Sequence, residues 1–340
     1  MTPRRWLVVL VIIVAVLGGF IIAKVVTASD NGWSTVSGVN VNPADQVNLE
    51  SNAPSNCVDG KIGSHCFVLS DGGRLSDVQS KPEDVRLVSK GFRVPEAFTA
   101  IDCITPEYCV ILDSQGVQVW LDRPRLETKT FSDTIRKGGD VTSLSCVTTQ
   151  YCVAGSDGLT NLRLVGSRWS TQIAPSDRLG SRPNFVWCAK AGACIGVGGV
   201  SWWLYSDRGW SKPVTFVYSL TDISGMSCTP AGQCGVVDDL GHFYLLQYSG
   251  RGEPQIAYEK ALPVHSGFQF VSCSGHLTCI AYAWLTGVFW KYADGKWSTF
   301  SVDSEVQRPF ESFSCSQRGW CVVVALGHSV AVRQFTTQHR

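Results

Sequence analysis

Net charge is nearly absent from this chain: 29 lysines and arginines stand against 28 aspartates and glutamates over 340 residues, leaving +1. A nucleic-acid partner needs a concentrated basic surface, so that class is excluded. Six histidines are present, and none sits in a pattern beside paired cysteines, as a zinc site would require. The chain has no Gly-x-Ser-x-Gly elbow, no His-Glu-x-x-His and no phosphate-binding loop. It also lacks a calcium loop of the Asp-x-Asp type. No asparagine opens a clear glycosylation sequon. No cysteine precedes Cys57, which rules out a lipid-modified N-terminal cysteine. These absences leave no metal, no cofactor and no catalytic residue to assign.

Cysteine, by contrast, is abundant and ordered. The fourteen stand as Cys57/Cys66, Cys103/Cys109, Cys146/Cys152, Cys188/Cys194, Cys228/Cys234, Cys273/Cys279 and Cys315/Cys321. Six of the seven pairs enclose five residues, and the first encloses eight. Successive first cysteines lie 46, 43, 42, 40, 45 and 42 residues apart. A period of 40–45 residues over strand-like sequence is the mark of a β-propeller. The spacing therefore predicts an all-β, seven-bladed β-propeller of four-stranded blades, each with a disulfide across its first hairpin. Local pairs in even number imply an oxidising compartment.

One repeat shows the layout. Phe268–Cys273 is strand a, Cys279–Trp284 strand b, Val288–Tyr292 strand c and Trp297–Val302 strand d, with turn residues between. Cysteines facing each other across an a–b hairpin have Cα atoms about 4.5–5.5 Å apart, within disulfide reach. Such short loops stabilise by about 2–2.5 kcal/mol each in the entropy account. Strand d opens with tryptophan at Trp169, Trp210 and Trp297, which fits packing between blades. Asp71, Asp113, Asp157, Asp238 and Asp239, in the b–c turns, read as turn chemistry.

The N-terminus reads as an anchor. Arg4 and Arg5 precede an uncharged, mostly apolar run from Trp6 to Ala23, just long enough to span a bilayer as a helix. The expected organisation is residues 1–28 as cytoplasmic stub and transmembrane anchor, 29–335 as propeller and 336–340 as tail. A signal peptide cleaved near Ala28 is the alternative, giving a secreted protein. The last repeat lacks a d strand, while Ser29–Ser37 resembles one, so residues 33–41 are expected to close that last blade. The short tether to Trp33 then turns the disulfide face toward the bilayer. The d–a connections and b–c turns face away, and recognition is expected on those loops.

The pattern Ser-Cys-x5-Cys-Val, a glycine turn, an aromatic strand and Trp-Ser resembles the cysteine-paired propeller repeats of secreted bacterial proteins, in the sialidase-like or BNR-type superfamily. Phe92-Arg93-Val94-Pro95 is similar to the sialidase motif whose arginine grips a substrate carboxylate. Ser206-Asp207-Arg208-Gly209 echoes the Asp-box turn of that superfamily. The resemblance implies a propeller and is nearly silent on activity. The expected function is a membrane-anchored, extracytoplasmic module that binds an envelope protein or cell-wall glycan. Its candidate ligand-binding residues are Arg93, Arg178, Arg182, Arg308 and Glu311. The alternatives are a sialidase-like glycosidase using the outward face, and a structural stabiliser of a membrane complex working through its membrane-near face.

Overall fold

A computed structural model describes residues 34–36, 55–61, 63–69, 74–81, 84–93, 98–113, 117–122, 125–130, 141–156, 161–166, 168–216, 221–263, 267–275, 277–300, 310–325 and 330–334. The strands of these segments pair only with close neighbours in sequence, apart from one. β2 (Ser55–Asp59), β3 (Ser64–Leu69), β4 (Arg74–Lys81) and β5 (Asp84–Arg93) form one antiparallel sheet. β6 (Phe98–Thr105), β7 (Tyr108–Asp113), β8 (Val117–Asp122) and β9 (Arg125–Thr130) form the next. β10 (Val141–Thr148), β11 (Tyr151–Ser156), β12 (Asn161–Val165) and β13 (Arg168–Gln172) follow. Then come β14 (Phe185–Lys190), β15 (Ala193–Gly198), β16 (Ser201–Ser206), β17 (Gly209–Trp210) and β18 (Val214–Thr215). β19 (Ile223–Cys228), β20 (Gln233–Asp238), β21 (His242–Gln247) and β22 (Gln255–Ala261) make another sheet, and so do β23 (Phe270–Ser274), β24 (Thr278–Ala283), β25 (Val288–Ala293) and β26 (Lys296–Phe300). The last sheet holds β27 (Phe310–Cys315), β28 (Trp320–Ala325), β29 (Val330–Gln334) and, from the other end of the chain, β1 (Ser34–Val36).

The expectation of a transmembrane helix followed by seven uniform four-stranded blades does not hold as stated. One sheet has five strands, because its outer strand is broken into β17 and β18, which pair separately with β16. Pro213 lies in the break and has no N–H to give a ladder. Ser211 bridges the gap instead: its N–H donates to the Leu204 carbonyl (2.8 Å) and its hydroxyl accepts from the Leu204 N–H (3.0 Å). The described residues contain no helix, and none long and apolar enough to cross a membrane. The apolar run Trp6–Ala23 lies outside the described residues, as do residue 33 and residues 37–41 of the expected closing segment.

Hydrophobic packing runs between sheets. Ala100, Val110 and Leu112 pack with Val141, Ala154 and Leu164 of the following sheet. Val153 and Tyr151 meet Cys194 and Tyr205, and Phe216 meets Tyr244 (ring centroids 4.9 Å apart). Tyr282 and Phe289 meet Phe310 and Phe313. The first and last sheets also join, through Cys66, Val68 and Val78 against Val322 and Val324. Apolar contact thus returns from the end of the chain to its beginning, as in a closed β-propeller. The tryptophans at strand d wedge into these seams: Trp297 stands edge-on to Phe243 of the preceding sheet at 4.9 Å.

All fourteen cysteines are paired: Cys57–Cys66, Cys103–Cys109, Cys146–Cys152, Cys188–Cys194, Cys228–Cys234, Cys273–Cys279 and Cys315–Cys321. Each bridge joins facing residues of the first and second strands of a sheet. Their Cα atoms stand 3.9–4.0 Å apart, which corrects the wider sequence-based range. The reason is register: each pair occupies the narrow, non-hydrogen-bonded position of its ladder. The N–H of each cysteine on the inner strand therefore points away from its own sheet.

Candidate functional site

That outward N–H builds the centre of the molecule. Cys103 N–H donates to Asn56 Oδ1 (3.2 Å), Cys146 N–H to Asp102 Oδ2 (2.6 Å) and Cys188 N–H to Ser145 Oγ (3.0 Å). Cys273 N–H donates to Ser227 Oγ (2.9 Å), Cys315 N–H to Ser272 Oγ (2.9 Å) and Cys57 N–H to Ser314 Oγ (3.0 Å). Each acceptor is the residue just before the cysteine of the neighbouring sheet. The links form a belt around the axis, and the bond from Cys57 to Ser314 joins its two ends. A serine, asparagine or aspartate before cysteine is thus an inter-blade clasp. The Ser-Cys dipeptide was visible in the sequence, but its role was not, because the acceptor's partner lies some forty residues away.

Trp187 breaks the belt. It occupies the clasp position before Cys188 and has no oxygen to offer Cys228. Opposite Cys234, the Cys228 N–H meets no side-chain acceptor among the described residues. The Trp187 ring lies half-buried, in a T-shaped contact with Tyr248 at 6.5 Å.

Inside the belt lies a cavity of about 620 Å³, lined by all seven inner strands. Its wall includes the clasp residues, with Leu144, Val186 and Met226 between them. It extends to Pro230 and Gln317, in the turns joining the cysteine pairs, so it belongs to the disulfide end of the axis. The sequence had favoured the opposite end. Among the lining residues the ionisable groups, apart from bridged cysteines, are Asp59 and Asp102; no lysine, arginine or histidine lines the space. Asp59 accepts from Ser64 Oγ and from the Arg318 N–H (3.0 Å). Asp102 accepts from Asn56 Nδ2 (3.2 Å) as well as from Cys146. Burial nevertheless pushes its carboxyl up to about 6, against the opposing pull of hydrogen bonds from the Cys146 and Cys103 backbone and the Asn56 amide.

The bridged cysteines divide between this cavity and the core. Cys57, Cys103, Cys146, Cys188, Cys228, Cys273 and Cys315, on the inner strands, line the space. Their partners Cys66, Cys109, Cys152, Cys194, Cys234, Cys279 and Cys321 do not. Those seven are shut from solvent one strand further out. Cys152 packs beside Val110, Cys234 beside Ile195 and Cys321 beside Ile280, each against the preceding sheet, and Cys109 is equally buried on β7. The second cysteine of each pair is therefore a core residue, and only the first contributes to the candidate site. The sequence treats the two alike, because a spacing does not record which strand faces the axis.

The candidate ligand-binding residues named from the sequence are not gathered at this cavity. Arg93 ends β5, an outermost strand, where it pairs with Arg74; β5 lies three strand spacings, about 14 Å, from the inner strand of its sheet. Arg178 is exposed in the connection between β13 and β14, and Arg182 in the same connection donates its Nε–H to the Ala174 carbonyl (2.9 Å). Glu311 lies near the start of the inner strand β27, and Arg308 lies outside the described residues. On that same face Asp177 and Asp238 act as turn residues. Asp177 accepts from the N–H groups of Leu179 and Ser181, and Asp238 from those of Leu240 and His242. Among the described residues no group of three or more histidine, cysteine or acidic side chains could hold a metal ion.

No family model and no curated protein matches the chain. Solved structures do. Catalytically inactive virginiamycin B lyase from Staphylococcus aureus with quinupristin superposes with a TM-score of 0.67 at 9% identity, over 89% of this chain and 99% of that one. The WD40 β-propeller domain of Doa1 gives 0.64 at 10% identity, over 86% and 94%. YCF48 bound to D1 peptide gives 0.60 at 12%, over 92% and 100%. At such identities the likeness reports architecture alone, and with the joined ends of the chain it makes this protein a disulfide-bridged β-propeller.

Proposed function

We propose that this protein is a membrane-tethered, extracytoplasmic binding module that receives a segment of a partner protein in the cavity at its disulfide face. The cavity carries the reading. Its volume falls in the range of ligand sites, and its lining comes from every inner strand, so the scaffold holds it rigidly. Disulfides in every sheet support an oxidising compartment. A tether supports the choice of a membrane partner. β1 runs antiparallel to β29, with Ser34 opposite Val332 and Val36 opposite Val330, while Trp320, next to the a–b turn, pairs with Gln334. The chain therefore enters β1 from the disulfide face. An anchor in residues 6–23 would hold that face, and the cavity mouth, toward the bilayer. YCF48 with its D1 peptide is a propeller that accommodates a peptide.

Site-specific photo-cross-linking in intact cells tests the reading. A photoreactive residue replacing Gln317 marks the cavity mouth. One replacing Leu240, which is 52% exposed in a b–c turn, marks the opposite face. The expected result is a discrete protein adduct from Gln317 and none from Leu240. Adducts only from Leu240 would move the site to the loop face. No adduct from either would remove the protein partner.

A further inference from the structure

We infer that the cavity selects a partner segment carrying a lysine or arginine, whose cationic group meets Asp102 while a backbone carbonyl of the segment takes the Cys228 N–H. The inference rests on the binding role proposed above and names the chemistry that the site prefers.

Two separate features of the cavity support it. The first is charge. The lining holds Asp59 and Asp102 with no lysine, arginine or histidine to oppose them. Asp102 is met by uncharged donors, the Cys146 and Cys103 N–H groups and the Asn56 amide. A carboxylate desolvated without a counter-charge is costly, and an incoming cation regains that cost. Burial raises the Asp102 carboxyl to about 6, yet at neutral pH the group is still mostly ionised and attractive to a cation.

The second feature is the broken belt. Six cysteine N–H groups find a side-chain acceptor on the neighbouring sheet. The seventh, on Cys228, faces Trp187, which offers an aromatic surface in place of an oxygen. That donor is half-buried at the cavity wall, where a carbonyl supplied by a ligand can take it in place of solvent. A peptide brings both requirements at once: carbonyl oxygens along its backbone and a charge at the end of a flexible stem. The apolar part of that stem has Leu144, Val186 and Met226 to lie against. Trp187 adds an aromatic ring to which cations are attracted.

The test uses the detergent-solubilised full chain and a fluorescein-labelled Gly-Ser-Gly-Lys-Gly-Ser-Gly peptide, read by fluorescence anisotropy. The lysine peptide is expected to bind, and its N-acetyl-lysine counterpart at least tenfold more weakly. Asp102→Ser and Trp187→Ser install the clasp residue used elsewhere in the belt, and circular dichroism checks that each variant folds. Asp102→Ser removes the charge, and Trp187→Ser gives Cys228 its own acceptor; each is expected to weaken binding at least tenfold. Equal binding of the acetylated peptide, or affinity unchanged in both variants, would overturn the inference. So would the absence of binding at millimolar peptide. Displacement by lysinamide at the same concentration as by the peptide would overturn it too, by pointing to a free amine. Cross-linking from Gln317 does not depend on the partner's charge, so it reports separately on the binding role.

Discussion

Asp102 stands in a belt where Ser145, Ser227, Ser272 and Ser314 hold the equivalent place and Asn56 holds another. Its carboxyl is pushed up to about 6 in the fold, against 3.8 for the free group, chiefly by burial. The folded protein thus holds this proton more tightly than the unfolded chain. The stability it confers is complete below pH 3.8 and is lost as pH rises through about 6. Two pKa units correspond to about 3 kcal/mol at most, and about 1–3 kcal/mol is the reasonable expectation. Asp102→Ser keeps an acceptor for Cys146 and removes the titration. Thermal melts from pH 4 to pH 7.5 should show wild type losing stability relative to the variant as pH rises. Parallel curves would mean that the carboxyl is not desolvated. Nothing in the sequence marks this residue, since an aspartate before cysteine takes the same clasp position as its serine counterparts, and only the fold buries its carboxyl.

The inner strands show how a short sequence signal becomes an element-level device. Alternation on a strand fixes which residues face a neighbouring blade. The disulfide puts its cysteine at a narrow ladder position, so that cysteine's N–H turns toward the next strand around the axis. The preceding residue of the neighbouring strand then meets it. Ser272→Ala removes the acceptor and leaves the Cys315 N–H buried and unpaired. The expected loss is about 1–3 kcal/mol, measured by urea denaturation with the disulfides intact. A loss under a few tenths would show that the clasp is incidental. The fourth sheet carries a different lesson. Its broken outer strand was not foreseen, because Pro213 speaks against a continuous ladder but does not say that Ser211 will bridge the interruption.

At the scale of the molecule, stability depends on joining the ends. β1 supplies an outer strand to a sheet whose other members come from residues 310–334. Without it β29 is an open edge, with unpaired backbone groups and a tendency to pair with other chains. Replacing Ser34-Thr-Val36 by Gly-Gly-Gly should lower the melting temperature by several degrees and raise aggregation on heating, seen by differential scanning calorimetry and light scattering. An unchanged melting profile would show that β1 contributes nothing to closure.

The sequence by itself determined that the chain repeats, that each repeat is a set of short strands, and that cysteines at fixed spacing bridge a hairpin. These are local matters: the spacing of two cysteines and the turn between them settle a hairpin whatever surrounds it. The seam tryptophans Trp169, Trp210 and Trp297 were legible for the same reason, since an aromatic opening a d strand has little else to do than fill space. The cavity, its end of the axis and the special standing of Asp102 and Trp187 were decided only by the tertiary structure. Each depends on residues about forty positions apart in the chain, or on opposite ends of it, meeting around one axis, and no local pattern encodes which unlike residue among seven equivalent positions will matter. Arg93, singled out by a four-residue motif, illustrates the converse. Its local sequence resembled a binding arginine, but the strand that carries it is an outermost one, where a short motif has no means of recording distance from the centre.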